Sequence, residues 1–194
     1  MFDTFLQYVA DYSSLKLSDE EIEVIKKSFK LKKLRKRQYL LQEGDMSKYI
    51  SFVTKGALRQ YTVDDKGHEH IVRFGIERWW MGDYEGFTMK TPSRYNIDAI
   101  DDSELLQISY EQLEDLKKKV PAIEAMVKKI DQRSYVSQQR RIHSSISNTA
   151  EDRYIDLLNT YPDFLQRFPQ NMIASYLGIS PETLSRIRKQ MAGK

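Results

Sequence analysis

The chain of 194 residues contains no cysteine. That excludes structural disulfides and cysteine-ligated iron–sulfur or zinc sites within it, and it suits a reducing cytoplasm. It has only 3 histidines, too few to assemble most catalytic constellations, and no glycine-rich phosphate loop. No apolar run approaches the roughly 18 residues needed to span a bilayer, so no membrane partner is expected. The opening MFDTFLQYVADYSS lacks a basic segment ahead of an apolar stretch, so no signal peptide is expected. Single-sign charge is scarce too. The formal net charge of +3 does not by itself argue for nucleic acid.

The distribution of charge says more. From Phe164 to Lys194 there are five basic side chains (Arg167, Arg186, Arg188, Lys189, Lys194) against one acid, Glu182. The other basic cluster, KKSFKLKKLRKR from Lys26 to Arg37, reads as a solvated face.

Residues 1–30 read as helical, with Ser18 as an N-cap, Glu20 and Glu21 in the first turn, and Ile22, Ile25 and Phe29 at helical spacing. From about Leu34 to Ser109 short β-branched and aromatic runs alternate with glycine or acid-rich turns. The turns recur about every 8–12 residues, as in an antiparallel sandwich or barrel. DDKG at 64–67 suits a hairpin because glycine accepts positive φ. After Tyr110 helical patterning returns, and Pro121 opens a long helix to about Ser144. Its stripe of Ile123, Val127 and Ile130 fits a helix packed on its own barrel and fits a dimer helix equally well.

QNMIASYLGISPETLSRIRK, residues 170–189, has the spacing of a helix-turn-helix. Ala174 is small where two helices cross, and Gly178 permits the positive φ of the turn. Ile173, Leu177, Ile179, Leu184 and Ile187 supply a shared core, Ser180 caps the second helix, and Pro181 suits its first position. With Leu184, Ile187 and Met191 facing inward, Glu182, Ser185, Arg186 and Lys189 share the outer face. Glutamate accepts from cytosine N4, arginine donates twice to guanine, and lysine and helix ends suit phosphates. The candidate DNA contacts are Ser180, Glu182, Thr183, Ser185, Arg186 and Lys189. The plainer alternative is a helical hairpin with a charged exterior.

A β-rich half, a long helix and a C-terminal helix-turn-helix together resemble the Crp/Fnr family of bacterial transcription regulators. LLQEGDMSKYISFVTKGALRQY looks like the family's opening strands, AIDDSELLQIS like its last ones, and ETLSR, 182–186, is similar to the E-x-x-S-R pattern of the Fnr-like recognition helix. The resemblance implies an α+β fold: an N-terminal antiparallel β-roll (double-stranded β-helix) sensor domain over 1–120, a dimerisation helix and hinge over 121–147, and a helix-turn-helix DNA-binding domain over 148–194. It implies a cytoplasmic homodimer acting on a palindromic promoter site in double-stranded DNA, with RNA polymerase as a further partner. The family usually adds a β-wing after the recognition helix; this chain ends at Lys194, so a full C-terminal wing is not expected. Pro181 replaces an arginine that reaches DNA in cAMP-responsive members.

Cyclic-nucleotide-binding members hold ribose with a Gly-Glu pair and the cyclic phosphate with an Arg-Ser/Thr-Ala run. Aligned on AIDDSELL, this chain offers Gly82-Asp83 for the first, and Ser93, Arg94 and Tyr95 for the second. The arginine is displaced by one residue, which in a strand turns it to the other face. Cyclic-nucleotide binding is therefore not expected. The candidate effector pocket is Trp80, Gly82, Asp83, Ser93, Arg94 and Tyr95, either filled by its own aromatics or open to an unidentified small-molecule effector. No cofactor and no catalytic residue are expected. His68-x-His70 invites a cupin-like metal enzyme, but Glu77 is far along and His143 lies on the long helix. A sensor or adaptor whose helix-turn-helix does not bind DNA is the rival of a different class.

Overall fold

The computed structural model describes residues 1–192; Gly193 and Lys194 lie outside it, and with them the basic charge assigned to Lys194. Two helices come first, α1 (Phe2–Ser13) and α2 (Asp19–Ser28). Phe5, Tyr8 and Val9 fall on one face of α1 and are buried. Ser18 caps α2 through a reciprocal box with Glu21, satisfying two otherwise orphaned backbone N–H groups.

Eight strands follow: β1 (Lys30–Leu34), β2 (Tyr39–Leu41), β3 (Tyr49–Lys55), β4 (Leu58–Val63), β5 (Glu69–Gly75), β6 (Trp80–Met81), β7 (Asn96–Ala99) and β8 (Ser103–Ser109). A short helix, α3 (Tyr84–Met89), interrupts them between β6 and β7. One sheet has the order β1-β8-β3-β6 and the other β2-β7-β4-β5. The antiparallel register of the first pairs Lys30 with Gln107 and Leu34 with Ser103, and on the other side of β8 pairs Ser51 with Gln107.

Alternation along these strands makes two cores. Leu34, Val53, Leu58, Met81, Ile97 and Leu105 fill the interior of the roll. Phe52, Leu106 and Ile108 point the other way, against Phe5, Ile25, Leu116 and Ile123. Gly56, between β3 and β4, has φ +95°, and a Cβ there would stand 2.3 Å from Ser103 Oγ and 2.8 Å from the Asp102 carbonyl. Only glycine fits that turn. Arg59 and Asp98 make a paired, largely buried contact between β4 and β7, at 2.8 and 3.0 Å.

Helices return with α4 (Tyr110–Lys119), α5 (Pro121–Ser147), α6 (Ala150–Thr160), α7 (Phe164–Arg167), α8 (Gln170–Leu177) and α9 (Pro181–Ala192). The chain divides into two compact units: residues 1–60 with 74–134, and the hairpin 61–73 with 135 onward. The expected boundaries at 120/121 and 147/148 do not coincide with this division, which falls inside α5 and assigns the β4–β5 tip to the helical unit. Within the first unit Ile123 is fully buried, with Val127 and Ile130 packed on the same core. That stripe is therefore spent on the chain's own roll and is not free for a second copy. The exposed apolar residues of α5 lie farther along, at Tyr135, Val136, Ile142 and Ile146.

The lysine-rich segment is solvated as expected, with Lys32 alone of its charged side chains half-buried. Its middle is strand β1, which begins at Lys30, ahead of the Leu34 where strands were expected. Pairing with β8 on one edge overrides the weak β-propensity of lysine.

Candidate functional site

Helix α8 presents Ile173 and Ala174, both fully buried, to α9, whose Leu184 and Ile187 close the contact. The small Ala174 lets the two backbones approach. Gly178 ends α8 at φ 68°, and a Cβ there would meet nothing within 4 Å, so the need for glycine is one of backbone angle and not of space. The turn is closed by N–H donation from Gly178 to the Ser175 carbonyl and from Ile179 to the Ala174 carbonyl, each at 3.0 Å. Ser180 Oγ accepts from the Thr183 N–H at 3.2 Å, and Pro181 opens the helix with no N–H to lose.

Glu182, Ser185, Arg186 and Lys189 are exposed together on α9, Ser180 is exposed at its cap, and Thr183 is half-buried. Arg186 Nη2 donates to Thr183 Oγ1 at 3.2 Å, which restrains a long side chain before any ligand arrives. The Ser180 hydroxyl, with a smaller contribution from Arg186, holds the Glu182 carboxyl below the usual carboxylate range, so it is an acceptor at neutral pH. The face thus carries an anionic acceptor and two cationic donors within two turns of one helix.

Sequence reasoning missed what supports this helix pair. Arg153 of α6 donates to the Leu177 carbonyl at the end of α8 (3.2 Å) and to the Asn148 carbonyl at the end of α5 (2.9 Å). Ser175 of α8 binds the β4–β5 hairpin: its hydroxyl accepts from the Ile71 N–H at 2.9 Å and donates to the Glu69 carbonyl at 3.0 Å. Arg141 donates to the Val72 carbonyl and lies 4.3 Å from the Tyr176 ring centroid. At the hairpin's turn His68 and His70 both face the Asp64 carboxylate, at 3.2 and 3.1 Å.

The cassette residues are placed as follows. Ser93 is buried; its backbone pairs with Gly44 and Asp45, and its hydroxyl bonds the backbone of Tyr95. Arg94 points outward to Glu85. Tyr95 is half-buried. Asp83 does not project as a ribose ligand: its carboxylate accepts from the Gly86 N–H at 3.2 Å and caps α3. Its carbonyl takes a hydrogen bond from Ser47. The D-Y-E-G stretch, with a capping residue and an acid in the first turn, carried that signal. Trp80, read as a pocket residue, packs against Phe5, Phe29 and Phe52 on the helix-covered face of its sheet, because neighbouring Met81 takes the inward position. Gly82 borders a cavity in the roll.

These positions can be set beside known proteins. Residues 31–119 match the cyclic nucleotide-binding domain family. The fumarate and nitrate reduction regulatory protein of Vibrio cholerae is 26% identical over 185 residues, covering 88% of this chain and 72% of its own. Regulatory protein HlyX of Actinobacillus pleuropneumoniae is likewise 26% identical, covering 88% and 75%. Over most of its length the chain resembles the Crp/Fnr regulators. Among solved members of this fold, FixK2 from Bradyrhizobium japonicum superposes with a TM-score of 0.67 at 19% identity, covering 85% of each chain. A CooA mutant from Carboxydothermus hydrogenoformans gives 0.72 at 15% identity, over 97% of this chain and 84% of that one. The roll and the helix-turn-helix of this chain thus have the fold of these regulators.

Proposed function

We propose that this protein is a dimeric transcription regulator of the Crp/Fnr type that reads double-stranded DNA with α9 and does not respond to cAMP. The observation that carries this is the outer face of α9. Glu182, Ser185, Arg186 and Lys189 are all exposed, while Leu184 and Ile187 of the same helix are buried against α8. Arg186 reads guanine, Glu182 accepts from cytosine, and Ser180, Thr183, Ser185 and Lys189 position the helix on phosphates. The relatives in Vibrio and Actinobacillus are named as regulatory proteins, which supports a regulator and not an enzyme. Residues 148–192 act as the DNA-binding domain. Among the described residues no helix is long and apolar enough to cross a membrane, in keeping with a cytoplasmic site of action.

A second copy is expected along the later part of α5. Tyr135, Gln139, Ile142 and Ile146 recur at spacings of 4, 3 and 4, the seam of a two-helix coil, and the three apolar ones are exposed. RNA polymerase is expected as the partner of the DNA-bound dimer.

The test is to sequence DNA fragments that co-purify with the protein from its host, and then to measure binding to the recovered site by fluorescence anisotropy at several salt concentrations. A palindromic consensus with salt-dependent affinity supports the reading. Absence of any DNA affinity favours an adaptor that has kept the helix-turn-helix for protein contacts.

A further inference from the structure

Glu182 and Arg186 stand four residues apart on α9, the acid nearer the N-terminus. That order and spacing favour a direct ion pair along a helix face. Such a pair would neutralise the reading face before any DNA arrived. Among the described residues no ion pair joins them. Arg186 Nη2 turns instead to Thr183 Oγ1 at 3.2 Å. The Ser180 hydroxyl acts on the Glu182 carboxyl more strongly than Arg186 does.

The two hydroxyls are themselves in contact. Ser180, Thr183 and Arg186 recur at a spacing of three, on one face of the helix. Ser180 Oγ and Thr183 Oγ1 lie 3.2 Å apart, and Ser180 Oγ also accepts from the Thr183 N–H. A serine hydroxyl has one proton to give, and here the Glu182 carboxylate takes it. The Thr183 hydroxyl is then the donor to Ser180, and its lone pairs are left to accept from Arg186. Donation runs from Arg186 through Thr183 and Ser180 to Glu182. With a cation at one end and an anion at the other, each hydrogen bond polarises the next. Thr183 is half-buried beside the buried Leu184, so its hydroxyl is held in place. The remaining N–H groups of the guanidinium are left for guanine O6 and N7.

We propose that Thr183 is a positioning residue for base reading: its hydroxyl draws Arg186 away from Glu182 and keeps both charges available to bases. This role rests on α9 reading DNA. Without that hydroxyl Arg186 falls onto Glu182, and each reader is occupied by the other.

The test compares Thr183→Val with Thr183→Ser in the full chain, first without DNA. In an NMR titration of the Glu182 carboxyl, Thr183→Val should lower the midpoint below that of the parent, because the guanidinium now favours the carboxylate. Thr183→Ser should titrate as the parent does. On the DNA site recovered from the host, Thr183→Val should reduce discrimination against a changed G·C pair about threefold to tenfold, and Thr183→Ser should retain it. In a Glu182→Gln background the change to Val should cost no further discrimination, since no carboxylate remains to capture Arg186. Thr183→Ala removes the same hydroxyl with a better helix former, and replaces Thr183→Val if that variant melts early. An unchanged Glu182 midpoint in Thr183→Val would overturn the proposal. So would an equal loss of affinity on every sequence, which would make Thr183 a phosphate contact only. The expected titrations in a protein without DNA affinity would overturn the DNA reading of α9, and this role with it.

Discussion

Arg94 Nη2 donates to Glu85 Oε2 at 2.5 Å on the solvent side of the loop, while Ser93, one residue earlier, is buried. The chain bends at Arg94 ahead of β7, and the cation where a cyclic phosphate needs one is turned outward and paired. Titration of cAMP or cGMP into the protein should therefore give no heat of binding at micromolar concentration. The pair is exposed and screened by solvent, so Arg94→Ala should barely move the melting curve. Micromolar nucleotide affinity that Arg94→Ala abolishes would mean that the loop rearranges to bring the arginine inward.

The two halves of α5 should separate under mutation. Ile142 and Ile146 are 53% and 79% exposed, whereas Ile123 is fully buried. Ile142→Glu with Ile146→Glu should shift light scattering from dimer to monomer with little change in the protein's own unfolding at low concentration. Ile123→Ala should instead cost about 2–5 kcal/mol in the roll, as a large-to-small change in a packed core. A dimer that survives both glutamates places the interface elsewhere.

On the recognition helix the two cations should behave differently. Arg186→Ala should cost about 1–3 kcal/mol on the preferred site and relax preference at one guanine. Lys189→Ala should weaken all sequences alike and reduce the salt slope by about one. If both variants lose base preference, or neither does, the reading face of α9 is not the one assigned.

Ser175 is the joint between α8 and the hairpin. Ser175→Ala removes both of its bonds at once, and a lost pair of this kind costs about 1–3 kcal/mol. Amide exchange should accelerate first at Ile71, whose N–H it binds, and only later at Phe52 in the roll. Unchanged protection at Ile71 would show that the hairpin is held by other contacts.

Much of this architecture was readable in the sequence, and the reasons differ by residue. Ser18, Gly178 and Ser180 act through their immediate neighbours, so the capped helix and the helix-turn-helix followed from local chemistry. Arg94 does face away from the buried Ser93, although the two lie in the bend ahead of β7 and not in the strand whose period suggested it. Other features depend on distant partners. Nothing near Ile123 says that its stripe meets Phe5 and Leu116 of the same chain. The lysine spacing in KLKKL hides a strand whose partner is more than 60 residues away. Trp80 faces away from the roll interior, because the parity of a two-residue strand is set by its neighbours and not by its own sequence. Arg153, Ser175 and Arg141 were missed because each binds a backbone carbonyl or N–H, which no side-chain pattern records.

The Ser175 contact has a second effect. Strand β5 is at the edge of its sheet, and Glu69 and Ile71 direct a carbonyl and an N–H outward from that edge. A serine hydroxyl, which both gives and takes a hydrogen bond, occupies that pair as a residue of a further strand would. Uncovered edges recruit strands from other chains and seed aggregates. Helix α8 therefore also shields the protein against self-association through its sheet, and a variant that loosens this joint should lose solubility on standing before it loses its fold.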